Sequence, residues 1–189
     1  VIPALPLALT PSLQFSPNYQ RALLRYYIDS GVGGIAVGVH STQFEIRDPQ
    51  YGLFEPVLEF ASGEIDRFCD VRNREILKIA GVCGPTHQAV AEAEFARAKG
   101  YHAALVSLKG YDETPTQPMV EHCREVAAIL PVVGFYLQSA VGGPVLSREF
   151  WRGFARIPNV LAIKIAPFNR YRTLDVLHAM LEVGRDDDG

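Results

Sequence analysis

A single lysine interrupts a short apolar segment near the C-terminal end of the sequence. Lys164 lies in the segment 159–167, NVLAIKIAP, whose β-branched residues and closing proline favour a buried strand. A buried lysine costs free energy unless it is paired, deprotonated or used covalently. A desolvated lysine of lowered pKa is a good nucleophile toward a carbonyl group. The segment therefore predicts a Schiff-base lysine or, alternatively, a side chain that reaches from an edge strand into water.

Lysine is scarce in this chain, which gives the position of each one more weight. Of the 18 basic residues, only Lys78, Lys99, Lys109 and Lys164 are lysines. Lys78 also lies in an apolar strand, but well before the strand ends. In a parallel barrel the chemistry takes place at the C-terminal ends of the strands. We therefore expect Lys164 to lie near the mouth and Lys78 to have a structural role.

Hydroxyl groups follow two other predicted strands. Tyr136 ends the fifth strand, and its phenol could move protons to and from an imine intermediate; the alternative is a tyrosine packed at a strand end. Ser41 and Thr42 follow the second strand, where their hydroxyls could bind a carboxylate; the alternative is ordinary loop capping.

Three further residues are weaker candidates. Tyr111, after the fourth strand, could join a hydroxyl relay, and His40, after the second, could act as an acid or base. Gly143 would let the backbone approach a ligand closely, or it simply forms a turn. The histidines and cysteines lack metal-ligand spacing, so no metal site is predicted.

The elements that would position these groups alternate regularly between strand and helix. Six βα units of about 25–35 residues imply a parallel sheet. An open doubly wound sheet is disfavoured because no Gly-x-Gly-x-x-Gly follows the first strand. We predict one α/β domain over residues 1–189, a partial TIM (β/α)8 barrel that lacks the last two of its eight units, because a full barrel needs about 250 residues. The six predicted strands are 1–9, 33–39, 76–82, 103–108, 132–137 and 159–167.

Composition narrows the class of function. The 189 residues carry a formal net charge of -3 and are 48% apolar, so neither nucleic acid nor a membrane is expected as a partner. The first residues lack the basic flank of a signal peptide, and the three cysteines are widely spaced, which together favour the cytoplasm. The acidic run Asp186–Asp188 is expected to be a solvated surface segment.

At these residues the chain resembles the dihydrodipicolinate synthase / N-acetylneuraminate lyase superfamily, the pyruvate-type class I aldolases built on a TIM barrel. The similarity extends along essentially the whole chain. Segment 4–11 resembles the first strand and its Thr-Pro turn, and segment 38–45 stands in place of a Gly-Thr-Thr-Gly-Glu loop. Segment 135–139 stands in place of a Tyr-Asn-x-Pro motif, and segment 163–166 in place of an Ile-Lys-Glu/Asp-Ala/Ser motif.

The resemblance implies a role for each matched residue. Lys164 looks like the lysine that condenses with a 2-oxo acid, and Tyr136 looks like the tyrosine that relays protons. Ser41 and Thr42 look like the pair that touches the substrate carboxylate and the tyrosine. No cofactor is implied, because the imine itself serves as the electron sink. The superfamily also implies a homo-oligomer, two further barrel units and a C-terminal helical extension.

Departures from the superfamily pattern indicate a divergent member. Val141 stands where dihydrodipicolinate synthases have an arginine for the second substrate's carboxylate, which argues against aspartate semialdehyde as the acceptor. Ile165 replaces the acidic residue after the lysine. The sequence thus predicts a Schiff-base lyase or aldolase for pyruvate or a related 2-oxo acid. The alternative is a non-catalytic barrel fragment that binds a small acid or only assembles with partners.

Overall fold

A computed structural model describes residues 1–184 of the chain, so the acidic run Asp186–Asp188 lies outside the described residues. The chain divides into two compact units. The first comprises Val1–Gly81 and Phe95–Ala103, and the second comprises Val82–Glu94 and the chain from Ala104 onward. Each unit is a mixed α/β structure.

The first unit alternates helices with parallel strands. Its elements are α1 (Pro17–Asp29), β1 (Gly34–Val37), α2 (Phe54–Arg72) and β2 (Leu77–Val82), of which the unit includes all but Val82. The unit also includes the C-terminal part of α3 (Thr86–Ala98), from Phe95 onward. β1 pairs in parallel with β2, from Gly34 opposite Leu77 to Val37 opposite Ala80. The Ser16 side chain caps α1 by accepting a hydrogen bond from the Tyr19 N–H, and Pro17 occupies the first helical position, where its missing N–H costs nothing.

The first predicted strand is reduced to an isolated bridge, so the described chain has five strands rather than six. Ala4 pairs in parallel with Ala36, with Leu5 N–H donating to the Ala36 carbonyl at 2.8 Å. Pro3 and Pro6 have no N–H to donate, and this prevents a longer ladder.

The second unit holds the strands on which the candidate lysine and tyrosine lie. Its elements are α3 up to Glu94, β3 (Ala103–Ser107) without its first residue, α4 (Thr116–Ala127), β4 (Val132–Leu137), α5 (Arg148–Ala155), β5 (Val160–Ala166) and α6 (Arg170–Val183). β3 pairs in parallel with β4, and β4 pairs in parallel with β5.

An aromatic cluster joins β4 to α5 and fixes which face of β4 is covered. Phe150, Trp151 and Phe154 are each 1% exposed, and the Trp151 ring contacts both phenylalanine rings. α5 carries these residues on one face, as an amphipathic helix packed on a sheet requires. The cluster packs against β4, which has room for it because residue 134 is glycine.

β5 is exposed, which agrees with the edge-strand alternative for the Lys164 segment and not with a buried strand. Among the described residues it pairs with β4 alone, and Leu161 is 63% exposed. A parallel strand is buried on both faces only where other elements cover both faces of the sheet. α6, which follows β5, likewise exposes Leu174, Leu177 and Leu181. No helix in residues 1–184 has the length and apolar character needed to cross a membrane.

Candidate active site

Lys164 stands beside Phe135 on neighbouring strands of the second unit. The two residues are in register between β4 and β5, and the Lys164 amine lies 4.6 Å from the centroid of the Phe135 ring. Lys164 is exposed, but partial burial of the amine lowers its pKa from the usual value of 10.5. A lowered pKa increases the fraction of free amine near neutral pH, which is the form that attacks a carbonyl carbon.

Tyr136 faces the other side of β4. Its ring packs 5.1 Å from that of Trp151, and the residue is 1% exposed. The hydroxyl donates to the Leu146 carbonyl at 3.2 Å and accepts from the Leu146 N–H at 3.3 Å. The structure therefore does not bring the Tyr136 hydroxyl to Lys164, and this placement does not support the predicted proton relay between them.

Gly143 lies in the loop after β4 and packs against its own chain. A Cβ atom at this position would lie 2.1 Å from the Leu137 carbonyl oxygen, and the Gly143 N–H donates to the Gln138 carbonyl at 3.1 Å. The glycine is required by this close backbone approach. Of its two predicted roles, the structure supports the turn.

Tyr111 belongs to a second polar cluster, which it forms with Thr86 and His122. The His122 Nδ1 lies 3.0 Å from both the Thr86 and the Tyr111 hydroxyl oxygens. The Tyr111 hydroxyl also donates to the Gly84 carbonyl at 3.2 Å. Burial lowers the pKa of His122 to about 4 and raises that of Tyr111, so the cluster is neutral at pH 7 and its hydroxyls are already engaged.

The loop residues of the first unit lie on a short 3₁₀ turn, His40–Thr42, directly after β1. Thr42 is fully buried, and its hydroxyl donates to the Leu5 carbonyl. Ser41 and His40 are exposed, and the His40 ring lies 6.3 Å from that of Phe44. The Thr42 hydroxyl thus holds the N-terminal segment, while the predicted carboxylate-binding role of Ser41 stays a prediction.

Lys78 has the structural role that its position in the strand predicts. The residue is 5% exposed. Its amine lies 2.7 and 2.8 Å from the two Asp66 carboxylate oxygens and 2.9 Å from the Ser62 hydroxyl. These partners use its donors and compensate its burial. Among residues 1–184, no group of three His, Cys, Asp or Glu side chains is arranged to hold a metal ion.

Comparisons with known proteins show what this arrangement is similar to. The 4-hydroxy-tetrahydrodipicolinate synthase of Sulfurihydrogenibium sp. is 26% identical over 160 residues, covering 83% of this chain and 52% of the relative. That of Campylobacter concisus is 33% identical over 112 residues, covering 58% of this chain and 37% of the relative. The chain is thus similar to members of the dihydrodipicolinate synthase / N-acetylneuraminate lyase superfamily. It spans about half the length of most of the curated relatives it matches.

Solved structures of the superfamily share the fold. YagE, a prophage protein of the dihydrodipicolinic acid synthase family from E. coli K12 in complex with pyruvate, superimposes with a TM-score of 0.83 at 18% identity, covering 97% of this chain and 60% of YagE. A monomeric dihydrodipicolinate synthase variant superimposes with a TM-score of 0.79 at 17% identity, covering 98% and 60%. The fold is thus that of a partial TIM barrel. No protein-family model matches the chain.

Sequence reasoning within the superfamily missed Phe135 as the neighbour of Lys164. The resemblance assigns the position to Tyr136, but side chains on a strand alternate between faces. The residue in the sequence that could have indicated which face each side chain takes is Gly134. A Cβ atom there would lie 2.9 Å from the Phe154 ring, so residues 134 and 136 face the helix and Phe135 faces the other way. The Thr86–His122 pair was missed as well, because no local spacing joins residues on two different helices.

Proposed function

We propose that Lys164 is the nucleophile of a Schiff-base-forming lyase or aldolase that acts on pyruvate or a related 2-oxo acid. The observation that carries the proposal is the Lys164 amine, held over Phe135 near the C-terminal end of β5 with a lowered pKa. The C-terminal ends of barrel strands are where barrel enzymes place their reacting groups. Two features of the comparisons support the same chemistry: the curated relatives are named as dihydrodipicolinate synthases, and YagE was crystallised with pyruvate.

The reaction begins when the neutral amine attacks the C2 carbonyl carbon of the 2-oxo acid. A C–N bond forms, the carbonyl oxygen leaves as water, and the nitrogen carries the positive charge of an iminium ion. The water takes one proton from the amine and one from solvent. The iminium then withdraws electrons from the neighbouring carbon, so the bound substrate supplies its own electron sink.

The acceptor proposed for this chain differs from that of a true dihydrodipicolinate synthase. Val141 offers no positive charge for the carboxylate of aspartate semialdehyde, and Ile165 next to the lysine is apolar. Without an arginine at residue 141, the bidentate hydrogen bonds that such a side chain gives a substrate carboxylate are lost at this position. We therefore propose a different second substrate, or simple cleavage of a 2-oxo acid adduct.

Reductive trapping tests the nucleophile directly. The full chain is incubated with pyruvate and with larger 2-oxo acids in the presence of cyanoborohydride, and the modified lysine is located by peptide mass spectrometry. We expect a reduced adduct on Lys164 that is absent in Lys164→Arg and unchanged in Lys99→Arg, whose side chain pairs with Glu59 on the surface. A chain that forms no adduct on Lys164 with any of the acids contradicts the proposal.

A non-catalytic binding protein is the second candidate, and the placement of Tyr136 favours it. The Tyr136 hydroxyl is engaged by the backbone of Leu146 and is not offered to Lys164 as a proton relay. Turnover separates the two readings. If the adduct forms but no 2-oxo acid is consumed, released or exchanged, the chain binds without catalysis. Self-association and a cytoplasmic location stay predictions.

A further inference from the structure

The face of β4 that neighbours Lys164 carries a phenyl ring instead of a phenol. Gly134 and Tyr136 lie two residues apart and both contact α5, the glycine through Phe154 and the tyrosine through Trp151. Phe135, between them, lies on the opposite face and contacts the Lys164 amine. The space between residue 134 and α5 does not admit even a Cβ atom, so the larger side chain of Phe135 could not take that place in the opposite parity.

Tyr136 is also fixed in place by hydrogen bonds. Its hydroxyl both donates to and accepts from the backbone of Leu146. Moving the hydroxyl toward Lys164 would strand two backbone groups of Leu146, a residue that is only 4% exposed, and would pull the ring out of its contact with Trp151. A buried polar group that loses its partner is costly, so Tyr136 is held away from the amine.

We infer that Phe135, not Tyr136, faces the Lys164 imine, and that the Tyr136 hydroxyl does not move protons on that imine. The inference rests on the proposed function of Lys164. Imine formation itself needs no side-chain hydroxyl here, because Lys164 is exposed and water supplies the proton that the departing oxygen takes. Removal of a proton from the C3 carbon of the iminium, which gives the enamine, is the step that a positioned hydroxyl would accelerate.

Imine formation and loss of the C3 proton can be measured as two separate rates. The rate of reductive trapping reports imine formation. The rate at which deuterium from D₂O enters the C3 position of pyruvate, followed by proton NMR, reports loss of the C3 proton from the imine and its return. In the unmodified chain we expect trapping on Lys164 together with slow exchange at C3.

Phe135→Tyr is the decisive variant, since it adds one hydroxyl beside the amine. We expect it to raise the rate of exchange relative to the rate of trapping by roughly 100-fold, within the range that a positioned general acid or base contributes. Phe135→Leu is the matched control, which alters the ring without adding a hydroxyl and should not raise exchange. Circular dichroism verifies that each variant is folded.

Tyr136→Phe gives the converse test. We expect it to leave both trapping and exchange at the rates of the unmodified chain. The inference is overturned if Tyr136→Phe remains folded and loses exchange by roughly 100-fold, or if Phe135→Tyr is folded, is trapped on Lys164 and exchanges no faster. Absence of trapping in the unmodified chain is a different result, which overturns the proposed function and this inference with it.

Discussion

The amine of Lys164 and the ring of Phe135 lie 4.6 Å apart on adjacent strands, in direct register. The relationship places an unusual lysine against an apolar surface with one side open to solvent. The partial burial disfavours the charged amine, and the opening gives a carbonyl compound access to it. These two features together make Lys164 the residue on which tests of function should concentrate.

The lowered pKa of Lys164 predicts that the folded chain is acylated at this residue at lower pH than the unfolded chain. Because only the neutral amine reacts, the rate should rise with pH through the pKa of the group. The rise should therefore begin at lower pH in the native protein than in the same chain in urea, where the pKa returns toward 10.5. Peptide mass spectrometry after brief treatment with an amine-reactive ester measures both profiles. Identical profiles would contradict the burial of the amine.

Tyr136→Phe is expected to destabilise the fold by about 1–3 kcal/mol, because the buried Leu146 N–H loses its acceptor. Urea unfolding followed by Trp151 fluorescence measures the change. Tyr171→Phe is the control, since Tyr171 is 65% exposed and a surface substitution changes stability by about 0.5 kcal/mol or less. Equal stability of Tyr136→Phe and the unmodified chain would show that the Leu146 hydrogen bonds contribute little.

Alanine in place of glycine should lower the stability of the fold at one position and raise it at another. Gly143→Ala places a Cβ atom against the Leu137 carbonyl and should cost about 1–3 kcal/mol through overpacking. Gly63→Ala, inside α2 with no atom near the added Cβ, should stabilise by about 0.5–1 kcal/mol because alanine favours helix. Thermal unfolding of both variants gives the comparison. A tolerated Gly143→Ala would indicate that the end of β4 can shift.

His122 predicts a loss of stability in acid. Its pKa is about 4 in the folded chain and 6.5 when it is fully exposed to water. As the pH falls, the unfolded chain therefore binds a proton at His122 before the folded chain does. Stability contributed by neutral His122 is therefore complete above about pH 6.5 and is lost as the pH falls toward 4, by roughly 3 kcal/mol in total. Urea unfolding at several pH values measures the dependence.

His122→Gln is the comparison for this pH dependence, because glutamine fills a similar volume and carries no titrating group in this range. It should flatten the dependence between about pH 4 and 6.5 relative to the unmodified chain. His87→Gln, at an exposed position, should leave it unchanged. A His122→Gln variant that loses stability in acid as steeply as the unmodified chain would assign the loss to other groups.

The exposed leucines of α6 predict self-association of the chain. Leu174 and Leu177 are each 47% exposed and Leu181 is 58% exposed, at helical spacings that form one stripe. Burying such a side chain contributes about 1.5–3 kcal/mol, so contact between stripes is favoured. A triple change to glutamine should lower the weight-average mass measured by light scattering. A chain that stays monomeric at high concentration without the substitutions would contradict this.

The amino-acid sequence alone determined the alternation of strands and helices, the structural role of Lys78 and the resemblance to the superfamily. These features depend on hydrophobic period, on Pro and Gly positions and on short motifs, all of which are local in the chain. It also singled out Lys164, because a lysine among β-branched residues is unusual wherever the strand lies.

Only the tertiary structure decided which residue faces Lys164. Phe135 and Tyr136 are adjacent in sequence, and a shift of one residue moves a side chain to the other face of a sheet. The choice depends on Trp151 and Phe154, which lie on a separate helix and fill the space beside Gly134. The same holds for the exposure of β5 and for the Thr86–His122–Tyr111 cluster, since both depend on contacts between distant segments that no local pattern records.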